Sequence, residues 1–121
     1  YGLSWPQRIE SGSAMINFKA LPPMTFESVS DLEHVKRFPG LSLAWDALNA
    51  SPGTTAILNA ANEVAVDQFL SGRIRFTDIY HVVSHVMEAI APKQAVHLDD
   101  ILESDRQARE AAVQSIKKMG R

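Results

Sequence analysis

The sequence predicts a mostly α protein: a C-terminal four-helix bundle preceded by an extended N-terminal arm with one or two short strands. Three observations carry this. Apolar residues recur with helical spacing from about residue 29 onward. Pro39-Gly40, Ser51-Pro52-Gly53, Gly72 and Pro92 punctuate that pattern at helix-length intervals. Residues 1–28 carry Pro6, Gly12, Pro22 and Pro23, and no helical period fits across them.

The arm, residues 1–28, holds large apolar residues spread along its length: Trp5, Ile9, Met15, Ile16, Phe18, Leu21, Met24 and Phe26. Ser11 and Ser13 flank Gly12 in a turn, and short strands are expected near residues 14–19 and 24–27. A segment so rich in apolar side chains needs a surface to lie on. That surface is either its own helical domain or a domain outside this chain.

Residues 29–121 form the helical domain. Ser30 or Asp31 can cap a short turn through Lys36. After Pro39-Gly40, Leu41, Ala44, Trp45 and Leu48 fall at i, i+3, i+4 and i+7 and make one apolar face. Thr54 or Thr55 can cap the next helix, which runs through Leu70, with Gly72 where a left-handed C-cap belongs. Thr77 and Asp78 open a third helix, whose stripe of Ile79, Val82, Val83, Val86, Met87 and Ile90 ends before Pro92. Burying six such side chains contributes on the order of 10 kcal/mol before entropy is subtracted. A short turn at residues 98–103 leads to a last helix, capped by Ser104 with Gln107 and closed by Gly120. That helix uses Ala108, Ala112, Ile116 and Met119 on its inner face and Lys117 and Lys118 at its negative end. Its small residues allow close packing.

Composition narrows the function. The 121 residues suffice for one domain with a real core, and 45% hydrophobic with 21% charged residues marks a globular chain. Scattered Lys and Arg with a net charge of −2 argue against a nucleic-acid surface. There is no cysteine, hence no disulfide and no thiolate metal site, which fits a reducing compartment. No apolar run approaches the roughly 20 residues that span a bilayer, and no secretory signal is visible. The chain begins with Tyr1 rather than Met, as expected of a piece cut from a longer polypeptide.

No catalytic pattern emerges. His81 and His85 have the i, i+4 spacing of a metal pair, with Glu88 one turn along, but they lie opposite the apolar stripe and read as solvated surface residues. His34 and His97 fall near helix starts and read as loop or cap residues. Asp99, Asp100, Glu103 and Asp105 form an acidic cluster at the start of helical segments, where negative charge is favourable in any case. Ser51, Ser84 and Ser104 lack His and Asp partners by motif, and the six glycines form no phosphate loop.

The unusual residues are Asn59, Asn62 and Glu63, on one side of a helix that could have used Ala, Leu or Lys. Asparagine is a mediocre helix former because its amide competes for backbone hydrogen bonds. The same amide, with two donors and an acceptor, suits bare loop backbone. The three residues are therefore expected to fasten adjoining loops or the arm, a structural rather than a catalytic, cofactor or metal role.

Several segments together carry a family resemblance. They are Trp5-Pro6-Gln7-Arg8-Ile9 with Ser11-Gly12, Thr25-Phe26-Glu27, and Arg37-Phe38-Pro39-Gly40-Leu41-Ser42-Leu43-Ala44. Asn59-Ala60-Ala61-Asn62-Glu63, Ile74-Arg75-Phe76-Thr77-Asp78-Ile79, and Asp99-Asp100-Ile101-Leu102 with Asp105, Ala108, Arg109 and Glu110 complete the set. In this order they resemble the C-terminal third of the bacterial deoxyxylulose phosphate reductoisomerases. The resemblance implies an oxidoreductase that converts 1-deoxy-D-xylulose 5-phosphate to 2-C-methyl-D-erythritol 4-phosphate in isoprenoid biosynthesis. It implies NADPH and Mg or Mn as cofactors of the whole enzyme, a homodimer, and a bacterial cytoplasmic location. This chain matches only the linker arm and the bundle. It is expected to be inactive alone, to bind neither cofactor, and to support the catalytic domain of the same polypeptide. A free-standing helical interaction module that reuses the fold is the alternative.

Overall fold

In a computed structural model, residues 5–7, 9, 10, 12, 14–90 and 97–119 are described. Five helices follow in order: α1 (Leu32–Arg37), α2 (Gly40–Asn49), α3 (Thr54–Leu70), α4 (Phe76–Ala89) and α5 (Leu98–Lys118). No strand occurs among the described residues. The strands predicted near residues 14–19 and 24–27 are irregular backbone and turn. The physical reason is that a strand needs a neighbour to complete its ladder, and a lone segment or hairpin is marginal in water. Ser11, Ser13, Pro92 and Gly120, to which turn and helix-stop roles were assigned, lie outside the described residues.

The helix boundaries follow local chemistry, with three departures from the sequence reading. Asp31 caps α1, its carboxylate accepting the Glu33 N–H at 3.0 Å. At α3 neither Thr54 nor Thr55 is the cap. Gly53 holds that position at φ +95°, and Thr54 lies inside the first turn with its hydroxyl donating to the Ser51 carbonyl at 2.8 Å. At α4 the cap is Arg75 rather than Thr77. The capping is done by Asp78 at N3, whose Oδ2 accepts the Arg75 backbone N–H at 2.9 Å. At α5 the turn and the Ser104–Gln107 cap are replaced by one continuous 21-residue helix starting after His97. No Gly or Pro interrupts it, Asp100 accepts the His97 N–H at 3.0 Å, and buried Ser104 donates to the Asp100 carbonyl at 2.8 Å.

The end of α3 is as the sequence predicts. Gly72 sits at φ +70° and donates to the Phe69 carbonyl at 2.9 Å, while Arg73 N–H reaches back to the Gln68 carbonyl at 2.9 Å. These paired bonds make a Schellman motif. A Cβ on Gly72 would meet nothing within 4 Å, so only backbone strain opposes a side chain there. Gly72→Ala is therefore expected to cost about 1–2 kcal/mol, the price of a left-handed non-glycine residue. A urea titration showing no change in midpoint would rule this out.

The core is built from α3, α4 and α5, which pack on one another, with α2 laid against α3. Its buried residues are Ile57, Ala60, Ala61 and Ala65 of α3, Val82, Val83 and Val86 of α4, and Ala108 and Ala112 of α5, with Ile74 from the α3–α4 turn. The predicted stripe on α4 and the small face of α5 are thus the packed faces. Phe69 and Phe76 meet edge to face at 5.7 Å across that turn.

The bundle is a three-helix core with an adjunct rather than four equivalent helices, and α2 shows why. Its inner side is Ala47, buried, with Leu43 packed against the core. The apolar face marked by the helical spacing points away from the core: Leu41, Trp45 and Leu48 are 42%, 57% and 62% exposed, and Ala44 is exposed too. Asn49 closes the helix by donating from its amide to the Trp45 carbonyl at 2.8 Å. Short α1 buries no residue. Among the described residues the arm's large apolar side chains are all exposed, Met15 and Phe26 almost completely.

Candidate functional site

Two surfaces could serve function: the polar seam between α3 and α5, and the exposed apolar face of α2 with the arm. The seam contains the residues singled out in the sequence. Asn59 donates from its amide nitrogen to Glu63 Oε1 at 3.1 Å, one turn along α3. Glu63 Oε2 accepts from Arg109 Nη2 of α5 at 2.6 Å. Arg109 also donates through Nε to Asp105 Oδ2 at 2.7 Å. The result is a chain of Asn59, Glu63, Arg109 and Asp105 that ties α3 to α5 at its rim. Half-buried Asn62 makes no side-chain hydrogen bond among the described residues. Arg109, 46 positions from Glu63, is the member that sequence reasoning did not connect.

The electrostatics follow from this geometry. The bond from Arg109, seconded by that from Asn59, holds the Glu63 carboxyl below its ordinary value of 4.5. Paired to Asp105 and Glu63, the Arg109 guanidinium is raised above the ordinary arginine value. A carboxyl depressed in the folded state adds stability that is present above pH 4.5 and is lost as pH falls through the folded-state value. Glu63→Gln is accordingly expected to lower the melting temperature at pH 7 by a small amount, because the pair is exposed. The gap between the two proteins should narrow as the pH falls below 4.5 and through the folded-state value. A gap constant from pH 7 to pH 3 would contradict the assignment.

The remaining candidates do not assemble into a reaction centre. His81 and His85 are exposed, and His81 meets the Tyr80 ring edgewise at 5.5 Å. Glu88 accepts from the Ser84 hydroxyl at 3.3 Å. His34 Nδ1 lies 3.2 Å from Glu27 Oε2 and ties the end of the arm to α1. The acidic cluster is dispersed along α5: Asp100 caps it, Glu103 accepts from Arg106 at 2.7 Å, and Asp105 pairs with Arg109. Among the described residues no three His, Asp or Glu side chains come together as a metal ion would require. A shallow cleft of about 230 Å³ between the start of α4 and the end of α5 is lined by Ile74, Arg75, Asp78, His81, Ile116 and Met119. It offers no nucleophile, and its Arg75–Asp78 pair, 2.9 Å apart, is engaged at the α4 cap.

The second surface is of a different kind. From Gly40 to Asn49 the only charged residue is Asp46, and between residues 14 and 26 the only one is Lys19. Sparse charge with exposed Trp, Phe, Met and Leu is the composition of a protein contact surface. Among the described residues no helix is long and apolar enough to cross a membrane.

Comparison with known proteins decides the family. The model of the DXP reductoisomerase C-terminal domain matches residues 1–111. The chain belongs to that family. A 1-deoxy-D-xylulose 5-phosphate reductoisomerase of Cupriavidus metallidurans is 47% identical over 112 residues, 93% of this chain and 28% of the relative. One of Burkholderia mallei is 42% identical over 119 residues, 98% of this chain and 29% of the relative. Among solved structures, the reductoisomerase from Zymomonas mobilis in complex with NADPH superimposes with a TM-score of 0.70 at 34% identity. That superposition covers 94% of this chain and 29% of the other. This reductoisomerase C-terminal domain therefore spans under a third of the length of the curated relatives it matches.

Proposed function

We propose that the chain is the C-terminal domain of an enzyme converting 1-deoxy-D-xylulose 5-phosphate to 2-C-methyl-D-erythritol 4-phosphate in isoprenoid biosynthesis. The observation that supports this most is the match to the reductoisomerase C-terminal domain over residues 1–111. In this reading NADPH and a divalent cation, Mg or Mn, serve a catalytic domain elsewhere in a homodimeric, cytoplasmic bacterial enzyme. The residues of this chain do not fit either group. They include no glycine-rich phosphate turn, and the described carboxylates are dispersed among caps and ion pairs. No chemical step is assigned to them.

The role of the piece is structural. Residues 1–28 act as an arm and residues 29–121 as the bundle. The arm lays its apolar side chains on the catalytic domain and braces it. Asn59 and Asn62 fasten loop backbone of the complete enzyme, with Glu63 held in place by Arg109. The test is an NADPH-oxidation assay with deoxyxylulose phosphate and Mg²⁺ on the product of the full reading frame and on this chain alone. Turnover by the former and none by the latter is expected. Turnover by this chain alone, or an upstream frame lacking a nucleotide-binding domain, would overturn the proposal.

A further inference from the structure

The outward face of α2 takes no part in the bundle's buried core. Leu43 and Ala47 already dock the helix on the core, so Leu41, Trp45 and Leu48 are surplus to its packing. Large apolar side chains at i, i+4 and i+7 on one exposed helix face, with Asp46 as the helix's single charge, form a patch that a free-standing domain would seldom keep. Trp is also the residue type most enriched where binding energy concentrates.

We propose that this face is a second docking surface, separate from the arm, and that its occupant is the preceding part of the same polypeptide. The inference rests on the reading of the chain as a reductoisomerase C-terminal domain. Two observations choose that occupant over a second copy of this chain. About 70% of each relative's length lies outside the match, so a large body of chain is available to cover the face. In addition, only the short helix α1 and the Phe38-Pro39 link separate the arm from α2, so the two apolar surfaces are near one another in sequence and one neighbour can cover both. Contacts between domains of one chain commonly bury about 600–1,500 Å², more than a ten-residue helix face supplies alone, which accords with an arm and a helix acting together.

Hydroxyl-radical footprinting read by mass spectrometry tests this. Oxidation of Trp45, Leu41 and Leu48 is compared, at matched dose, between this chain and the full-length enzyme. The rate at Trp45 is expected to fall at least fivefold in the full-length enzyme. A second arm uses Trp45→Lys. The variant should shift the thermal midpoint of this chain little, because more than half of the side chain is exposed, and should lower that of the full-length enzyme further. Equal oxidation of Trp45 in both proteins would overturn the proposal. So would protection that appears in this chain alone and grows with concentration alongside a dimer in light scattering, which would assign the face to a second copy. Loss of NADPH-dependent turnover in the unmutated full-length protein would instead defeat the functional reading, and is measured separately.

Discussion

Val83→Asp unfolds the domain. Val83 is 4% exposed on the face of α4 that packs against α3 and α5, and it belongs to a buried cluster of Ile, Val and Ala side chains. A carboxylate placed there must be desolvated without a hydrogen bond or an opposite charge. In protein interiors such a change costs about 4–5 kcal/mol or more. The whole stability of a domain of this size is about 5–15 kcal/mol, so most of it is consumed. Circular dichroism should show loss of the cooperative melt and much of the helicity at 25 °C. Val83→Ala separates the charge from the lost volume: it removes two methyl groups and should cost only about 1–2 kcal/mol, with the melt retained. A Val83→Asp protein with unchanged helicity and midpoint would mean that α4 does not pack as described.

The sequence was most informative where one periodic face has no competitor. On α4 the apolar stripe stands against His81, Ser84, His85 and Glu88, so orientation is unambiguous. At Gly72 only the left-handed conformation explains a glycine between two helical patterns. On α2 the same method fails for a physical reason. Both sides of that helix are apolar, and periodicity cannot say whether Leu43 and Ala47 or Leu41, Trp45 and Leu48 face the core. In the fold Leu43 and Ala47 meet the core, and Leu41, Trp45 and Leu48 are left on the outward side. At α5 a serine followed by Gln107 reads as a cap, yet a serine can equally bond the carbonyl four residues back and stay inside a helix. Arg75 escapes notice because arginine is no capping residue; the usable signal is Asp78 three positions on. In the seam, Asn59 and Glu63 are legible as a local i, i+4 pair, whereas Arg109 is joined to them only by the fold.

The close approach of α3 and α5 is the other feature on which the fold depends, and Ala112→Leu is expected to break it. The two helices pack on one another, and Ala60, Ala61 and Ala65 of α3 share one buried cluster with Ala108 and Ala112 of α5, all with no exposed surface. Buried Ser104 and Ser115 extend the small face of α5 in both directions. Interaxial distance is set by the side chains between two helices, so alanine against alanine draws the axes together. Leucine is the better apolar residue by transfer free energy and nearly as good a helix former as alanine, so neither hydrophobicity nor propensity opposes the change. What opposes it is volume. Three added carbons in a site without free space force off-rotamer side chains or a shift of α5, at about 1–3 kcal/mol or more. A shift of α5 would also pull Arg109 away from Glu63, now 2.6 Å apart, so the rim loses its tie as the core loses its fit. Ala108→Leu should behave alike, while Gln114→Leu, on the exposed side of the same helix, should stay within about 0.5 kcal/mol of the unmutated chain. Urea titrations of the three variants decide the matter. If leucine at position 112 is tolerated as well as at position 114, the two helices are held apart by something larger than alanine and the packing described for them is wrong.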